Sequence, residues 1–342
     1  MLINMPAPNV LAEKKADKEM LSVSQEGEIT TVYVNYSSLA AMQECPRKAF
    51  FSLERKLRGP QGAALIFGTA VHKALETFYS APRSERLIPK DFEERSDLLA
   101  YNTQGQEAEE LLFRCIKDFV TAAEPIKGLS DNDKRSISSG VWMLQHYFKT
   151  YIDDPWEVLF DAEGKPYTER RVQKEIYNDG KLRIIVFGTI DVILRNAQTG
   201  VILAADHKTS SIIGNDFYNR LKPNLQYGLY LYLARTVLGI DSAGFLVNCL
   251  ETKSRPLTAR GGPPKFIRQV TTRDEDDNED MLRTVVSLVK QYLSWKAENY
   301  FPLGYVNSCA SYGGCSFLEV CQAPISIRET IIENKFKTKE NT

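Results

Sequence analysis

Residues 182–195 read Leu-Arg-Ile-Ile-Val-Phe-Gly-Thr-Ile-Asp-Val-Ile-Leu-Arg, and residues 201–208 read Val-Ile-Leu-Ala-Ala-Asp-His-Lys. The first run is apolar on both faces, as a strand covered on two sides must be. The second is an apolar strand that ends in charge. The Thr199-Gly200 turn between them makes the two strands neighbours. Asp191 lies inside the first run, where an unpaired carboxylate costs roughly several kcal/mol and so requires a cation or strong donors. Strand side chains alternate, so Asp206 and Lys208 share one face and His207 takes the other. Asp191 can then stand beside Asp206, with Lys208 next to both.

Two carboxylates on adjacent strands form a hard oxygen site suited to Mg²⁺ or Mn²⁺. Such an ion makes water more acidic and stabilises charge on phosphate, and an adjacent lysine can orient that water or offset the developing charge. That is the chemistry of phosphodiester hydrolysis. Asp191 alone reads better as a hydrogen-bonded buried aspartate at a strand end, and Asp206-His207-Lys208 alone reads equally well as a polar strand terminus. The pair on successive apolar strands favours the metal site.

Working outward, strand-forming residues also dominate 156–160 and 170–177, and Asn178-Asp179-Gly180 is a hairpin turn before the 182–195 strand. Helical spacing of apolar residues marks 64–79, with Phe67, Val71, Ala74, Leu75 and Phe78 on one stripe, and also 105–123, 133–151, 223–238 and 279–298. Ser37 and Ser38 can cap a helix at 39–44, and Pro46 can open the next. A strand is expected at 243–250. Residues 1–30 are polar and aperiodic and read as a disordered arm. Residues 31–325 read as a single domain carrying a helical insertion at 80–155, and 326–342 as a tail.

Gly188-Thr189-Ile190-Asp191, followed by Ala205-Asp206-His207-Lys208-Thr209-Ser210, resembles the core of the PD-(D/E)XK nucleases, most closely the RecB-type branch that includes AddB nuclease domains, CRISPR adaptation nucleases and phage exonucleases. The resemblance extends over most of residues 36–323. It implies an α/β fold: a restriction-endonuclease-like core with a central mixed sheet flanked by helices. It implies catalytic roles for Asp191, Asp206 and Lys208, with an upstream glutamate on the preceding strand; Glu175 is the choice and Glu169 its rival. In Gly68-x-x-x-His72-x-x-x-Glu76 it makes His72 a metal ligand, the glycine allowing close backbone approach. The His207 carbonyl is a further candidate ligand. Gln226 and Tyr230, one helical turn apart, match the branch's Gln-x-x-x-Tyr pair, which supports the site and contacts DNA.

Six cysteines occur, and Cys309, Cys315 and Cys321 fall within thirteen residues. Iron–sulfur members of the branch place one cysteine before the core and three after it, so the resemblance adds Cys45 and implies a [4Fe–4S] cluster. The first gap here is five residues where the commoner pattern has two, which keeps four-cysteine Zn²⁺ as the alternative. Cys115 and Cys249 read as core residues.

The composition is that of an ordinary globular protein, 43% hydrophobic and 25% charged, over 342 residues. No apolar run reaches the length of a membrane span and no signal peptide is apparent, so a cytoplasmic location is expected. The net charge of −1 argues against binding nucleic acid by bulk charge. A local basic bias at 44–58, including Arg47 and Lys48, nominates those two for DNA contact. The expected function is a Mg²⁺- or Mn²⁺-dependent deoxyribonuclease, an exonuclease on single-stranded or free-ended DNA, serving replication, recombination or repair. The alternative is a non-catalytic DNA-end or junction-binding subunit. No Gly-x-x-x-x-Gly-Lys-Ser/Thr loop occurs, so a helicase or recombination partner would have to be a separate chain.

Overall fold

The computed structural model describes residues 21–59, 61–86, 107–151, 154–255, 262–304, 306–310 and 314–338. The chain forms two compact units, one from residues 1–60, 172–188 and 274–342, the other from 61–171 and 189–273.

The second unit follows from the acidic strands. Strand β6 (Leu182–Asn196) contributes its C-terminal half, β7 (Ile202–Ser210) pairs with it antiparallel, β8 (Gly244–Glu251) pairs with β7 in parallel, and β9 (Phe266–Thr271) closes antiparallel on β8. A short β4 (Trp156–Val158) pairs on the other edge of β6. Gly200, at φ +73°, makes the β6–β7 turn.

Val192, Leu194, Leu203, Ala205, Leu246 and Leu250 carry one buried face of this sheet. Three helices cover it: α3 (Ala63–Ser80), α4 (Glu107–Ala122) and α5 (Ile137–Thr150). The expected stripe of α3 is fully buried, and Phe67, Val71, Leu75 and Phe78 each contribute about 1.5–3 kcal/mol. Gly140 of α5 meets the Phe119 ring so closely that an added Cβ would stand 2.0 Å from it. On the opposite face Phe245 stacks with Tyr227 of α7 (Leu225–Thr236), which follows the short α6 (Asn215–Asn219). The sheet is mixed and helix-covered, as expected.

In the first unit, β1 (Leu21–Glu26) and β2 (Ile29–Val34) form a hairpin around Gly27, and β2 runs parallel to the N-terminal half of β6. The disorder expected through residue 30 does not hold for Leu21–Thr30: alternation in Ile29–Val34 creates a partly buried strand, and Leu21–Glu26 pairs with it. Residues 1–20 lie outside the described residues. Helix α1 (Tyr36–Glu44) is capped by Asn35, whose side chain accepts from Ser38 N at 2.9 Å, so the cap sits before the two serines. Pro46 opens α2 (Pro46–Ala49), which widens into a π-type turn at Phe50–Glu54.

The acidic run at 274–277 caps α8 (Glu275–Ala297) reciprocally: Asp274 accepts from Asp277 N, and Asp277 from Asp274 N. The short helices α9 (Val306–Ala310) and α10 (Leu318–Gln322) follow. The expected tail instead forms α11 (Arg328–Lys335) and β10 (Lys337–Thr338), the latter pairing with β3 (Leu57–Arg58). Ile332 explains the difference, because it packs with Phe51, Leu57, Phe317 and Val320 in a separate apolar cluster. Strand β5 (Thr168–Asn178) pairs with β6, and residues from both units lie along it. Of the expected insertion, residues 87–106 lie outside the described residues. Among the described residues no helix is long and apolar enough to cross a membrane.

Candidate active site

All residues of the acidic cleft belong to the second unit. The β6–β7 ladder last pairs Val192 with Ala205, so the next position places Asp191 opposite Asp206. The His207 amide donates to Asp191 Oδ2 at 3.0 Å. Lys208 Nζ stands 2.6 Å from Asp206 Oδ2, which puts both on one face, as alternation requires. That approach lacks hydrogen-bond geometry, and Asp206 Oδ2 is buried with no hydrogen-bond donor.

Helix α3 supplies His72, whose Nδ1 lies 3.2 Å from Asp191 Oδ2. Burial lowers the His72 pKa, with the Lys208 charge assisting and Asp206 opposing, so the imidazole keeps a lone pair. Strand β5 supplies Glu169, held at φ +47°. Ligand-type atoms of His72, Glu169 and Asp191 all lie within 4.8 Å of one another. Crowding by protein raises the Glu169 carboxyl to about 7, with the neighbouring charge of Glu76 adding to it and Lys73 opposing. Burial, the charge of Asp206 and a hydrogen bond shared with it hold the Asp191 carboxyl far above its ordinary range. Lys73 is itself paired with Glu76 at 2.8 Å. His72, Lys73, Glu76, Glu169 and Lys208 border a cleft of about 520 Å³, whose rim also includes Leu65, Gly68, Thr69 and Thr209.

Glu169, the rival, is the glutamate in this set, and Glu175 is not. The two are six residues apart on one strand, roughly 20 Å at the usual rise, so one ion-sized site cannot use both. Glu175 is exposed near the 178–181 turn, with Arg183 Nε 3.7 Å away. The close approach expected at Gly68 is mild: an added Cβ would lie 3.5 Å from Thr209 Oγ1, an ordinary contact. Gln226 and Tyr230 are half-buried on α7, with Tyr230 tilted against Phe245 at 6.5 Å, and neither is among the residues bordering the cleft.

The donor set fits a divalent ion. Carboxylate oxygens and one imidazole with a lowered pKa are present, and acidic groups crowd each other. Ligands on opposite sides of a small octahedral ion stand about 4.2 Å apart, within the spread of this group.

The first unit holds Cys45, Cys309, Cys315 and Cys321, all half-buried free thiols. Phe301, Gly304 and Ser308 lie against the junction of α1 and α2. The Arg47 Nε donates to Phe301 O at 2.8 Å, Ser308 Oγ donates to Glu44 O at 3.1 Å, and a Cβ on Gly304 would stand 2.7 Å from Cys45 Sγ. Gly304 was not singled out in the sequence, where nothing distinguishes it from other loop glycines. Burial raises the Cys315 thiol, Lys48 opposes this, and the Cys309 and Cys45 thiols add to it; burial raises Cys321 likewise, with Arg47 opposing and Cys315 and Cys45 adding. Arg47 and Lys48, nominated for DNA, thus act electrostatically on the thiols, and Lys48 also pairs with Glu44 at 2.6 Å. Cys115 is buried in the core.

Residues 33–322 match the family model described as the PD-(D/E)XK nuclease superfamily. No curated protein matches the chain. Two solved structures align with 87% of it at 12% identity. One is a protein described as SSO0001, 88% covered with a TM-score of 0.34; the other is a candidate exonuclease from Eubacterium rectale, 92% covered with a TM-score of 0.45.

Proposed function

The chain belongs to the PD-(D/E)XK nuclease superfamily, and on that premise we propose that it is a Mg²⁺- or Mn²⁺-dependent deoxyribonuclease acting from the ends of single-stranded or free-ended DNA. The observation that carries this reading is the convergence of His72, Glu169 and Asp191 within 4.8 Å, beside a buried Asp206 paired with Lys208. His72, Glu169, Asp191 and Asp206 would hold the ion, with the His207 carbonyl a further candidate ligand. When bound, the ion supplies positive charge against the phosphoryl oxygens and makes water more acidic.

The remaining roles fall to the chain. The Lys208 ammonium faces the cleft from β7, where it orients the attacking water and offsets negative charge as the phosphorus–oxygen bond breaks. The Glu169 carboxyl, raised to about 7 without the ion, would give up its proton on ligating it and offset part of the ion's charge. The His207 amide fixes Asp191 in place through Oδ2. Thr69 and Thr209 offer hydroxyl donors to a phosphate seated along the cleft.

For the thiols, we propose a [4Fe–4S] cluster held by Cys45, Cys309, Cys315 and Cys321. The four thiols are half-buried, three of them within thirteen residues, and Cys45 acts electrostatically on Cys315 and Cys321; four-cysteine Zn²⁺ is the alternative.

The test is digestion of end-labelled linear and covalently closed single-stranded DNA, with Mg²⁺, with Mn²⁺ and with EDTA. Metal-dependent loss of the linear strand alone is expected. Binding without cleavage in every metal condition would instead support the end-binding subunit, and cleavage of the closed circle would make the enzyme an endonuclease.

A further inference from the structure

Behind β7, on the side away from Asp206 and Lys208, the second unit buries a continuous polar chain. Tyr79, Tyr147, Asn248 and His207 are each at most 4% exposed. Asn248 faces His207 across the parallel β7–β8 register. Its Nδ2 donates to His207 Nδ1 at 2.8 Å and to Tyr147 Oη at 2.8 Å, which uses both amide hydrogens. The Tyr147 and Tyr79 hydroxyls share a hydrogen bond of 2.7 Å. Arg268 Nη2 donates to Tyr79 Oη at 2.8 Å and Tyr147 Oη at 3.2 Å. The guanidinium is held in turn by both oxygens of Asp154, at 2.8 and 2.7 Å.

Two contacts connect this chain to the cleft. The Tyr79 ring stacks on the His207 ring, with centroids 5.3 Å apart and planes 18° apart. Tyr79 also lies seven residues after His72, two turns along the same face of α3. His207 sits between Asp206 and Lys208 and donates its amide to Asp191. The stack therefore joins the helix that carries His72 to the strand that carries the other charged groups.

Apolar side chains of similar volume would fill this space without the desolvation cost of so many polar groups. We infer that Tyr79, Tyr147, Asn248, Arg268 and Asp154 are positioning residues for a divalent cation in the cleft: they fix His207, and through it the separation between His72 on α3 and Asp206 on β7. This rests on reading the cleft as a metal site. Of the polar chain only His207 borders the cleft; Tyr79, Tyr147, Asn248, Arg268 and Asp154 are not among its lining residues. It acts by holding ligands at a spacing that a small, hard ion demands.

The test is Mn²⁺ titration by calorimetry on the full-length wild type, Tyr147→Phe and Asn248→Leu, with melting temperature and DNA cleavage measured alongside. Tyr147→Phe keeps the ring and removes the central hydroxyl, so it carries the test if Asn248→Leu does not fold. The expected result is Mn²⁺ binding weakened about 10–100-fold, an unchanged KM for DNA, and kcat restored by excess Mn²⁺. Wild-type Mn²⁺ affinity in a folded Tyr147→Phe protein, whatever its melting temperature, would overturn the inference. Equal Mn²⁺ binding by wild type and Asp206→Asn would remove the metal site and the inference together. Mn²⁺ binding that depends on Tyr147 without any DNA cleavage would uphold the inference while rejecting the nuclease reading.

Discussion

The acidic cleft and the thiol region both gather groups that become negative, and they do so on different kinds of backbone. The cleft draws Asp191, Asp206 and Lys208 from paired strands, His72 from an 18-residue helix and Glu169 from a long strand. Register, alternation and helical pitch fix those positions, so the donor atoms converge before any ion arrives. The thiols instead come from a helix end, two five-residue helices and the turns between them. Short elements position those segments, and Arg47 and Lys48 moderate their charge. The hard site should therefore survive loss of its ion, whereas the soft one should depend on its ligand for order.

The largest expected effect is in the cleft. Asp206→Asn and Lys208→Ala should each lower kcat/KM on the order of 10³-fold, measured under single-turnover conditions in Mn²⁺. Removing the ion with EDTA should abolish cleavage and lower the melting temperature at neutral pH only by the ion's own binding energy, leaving a folded protein, and returning Mn²⁺ should restore activity. Loss of the folded state on chelation would break the contrast.

Next comes the thiol region. Cys321→Ser, and to a smaller extent Gly304→Ala, should reduce iron, sulfide and visible absorbance in anaerobically purified protein. Gly304→Ala acts by driving a methyl group into Cys45 Sγ. Both variants should melt earlier than wild type, while DNA-independent Mn²⁺ binding stays intact. Stoichiometric zinc in a colourless wild type would replace the cluster reading.

A third effect separates two residues of one strand. Glu169→Gln should cost about 10–100-fold in kcat/KM, whereas Glu175→Gln should stay within about twofold, because its carboxylate is exposed and faces Arg183. This pair also shows where the sequence was legible. Asp191, Asp206 and Lys208 could be read because period-two alternation in two apolar runs determines which side chains share a face. His72 could be read through a helical stripe joined to a family motif. The choice between Glu169 and Glu175 could not, because both fit the same alternation and the break at Glu169, where φ is +47°, leaves no mark in composition. The partnership of Asn248 with His207 was hidden for a related reason. It depends on the register of a parallel pair joined by an intervening helix, which no local pattern encodes. Gly304 illustrates the same limit in the other unit, since its role comes from a contact 259 positions away in the chain.

The smallest effect is one of pH, and its sign distinguishes an ion site from an ordinary acidic surface. Without an ion, the Glu169 carboxyl is raised from its ordinary 4.5 to about 7. Between those values the folded state holds a proton that the unfolded state has released, so folding stability falls as pH rises through that window. A divalent ion displaces the proton, so its apparent affinity should increase with pH, up to about tenfold per unit for each proton released, and level off above about 7. The raised Asp191 carboxyl acts in the same direction. Melting temperature in EDTA should then decline from pH 5 to pH 7, while in Mn²⁺ it should climb over the same interval. Glu169→Gln should flatten both curves, and a solvated acidic surface would show neither slope.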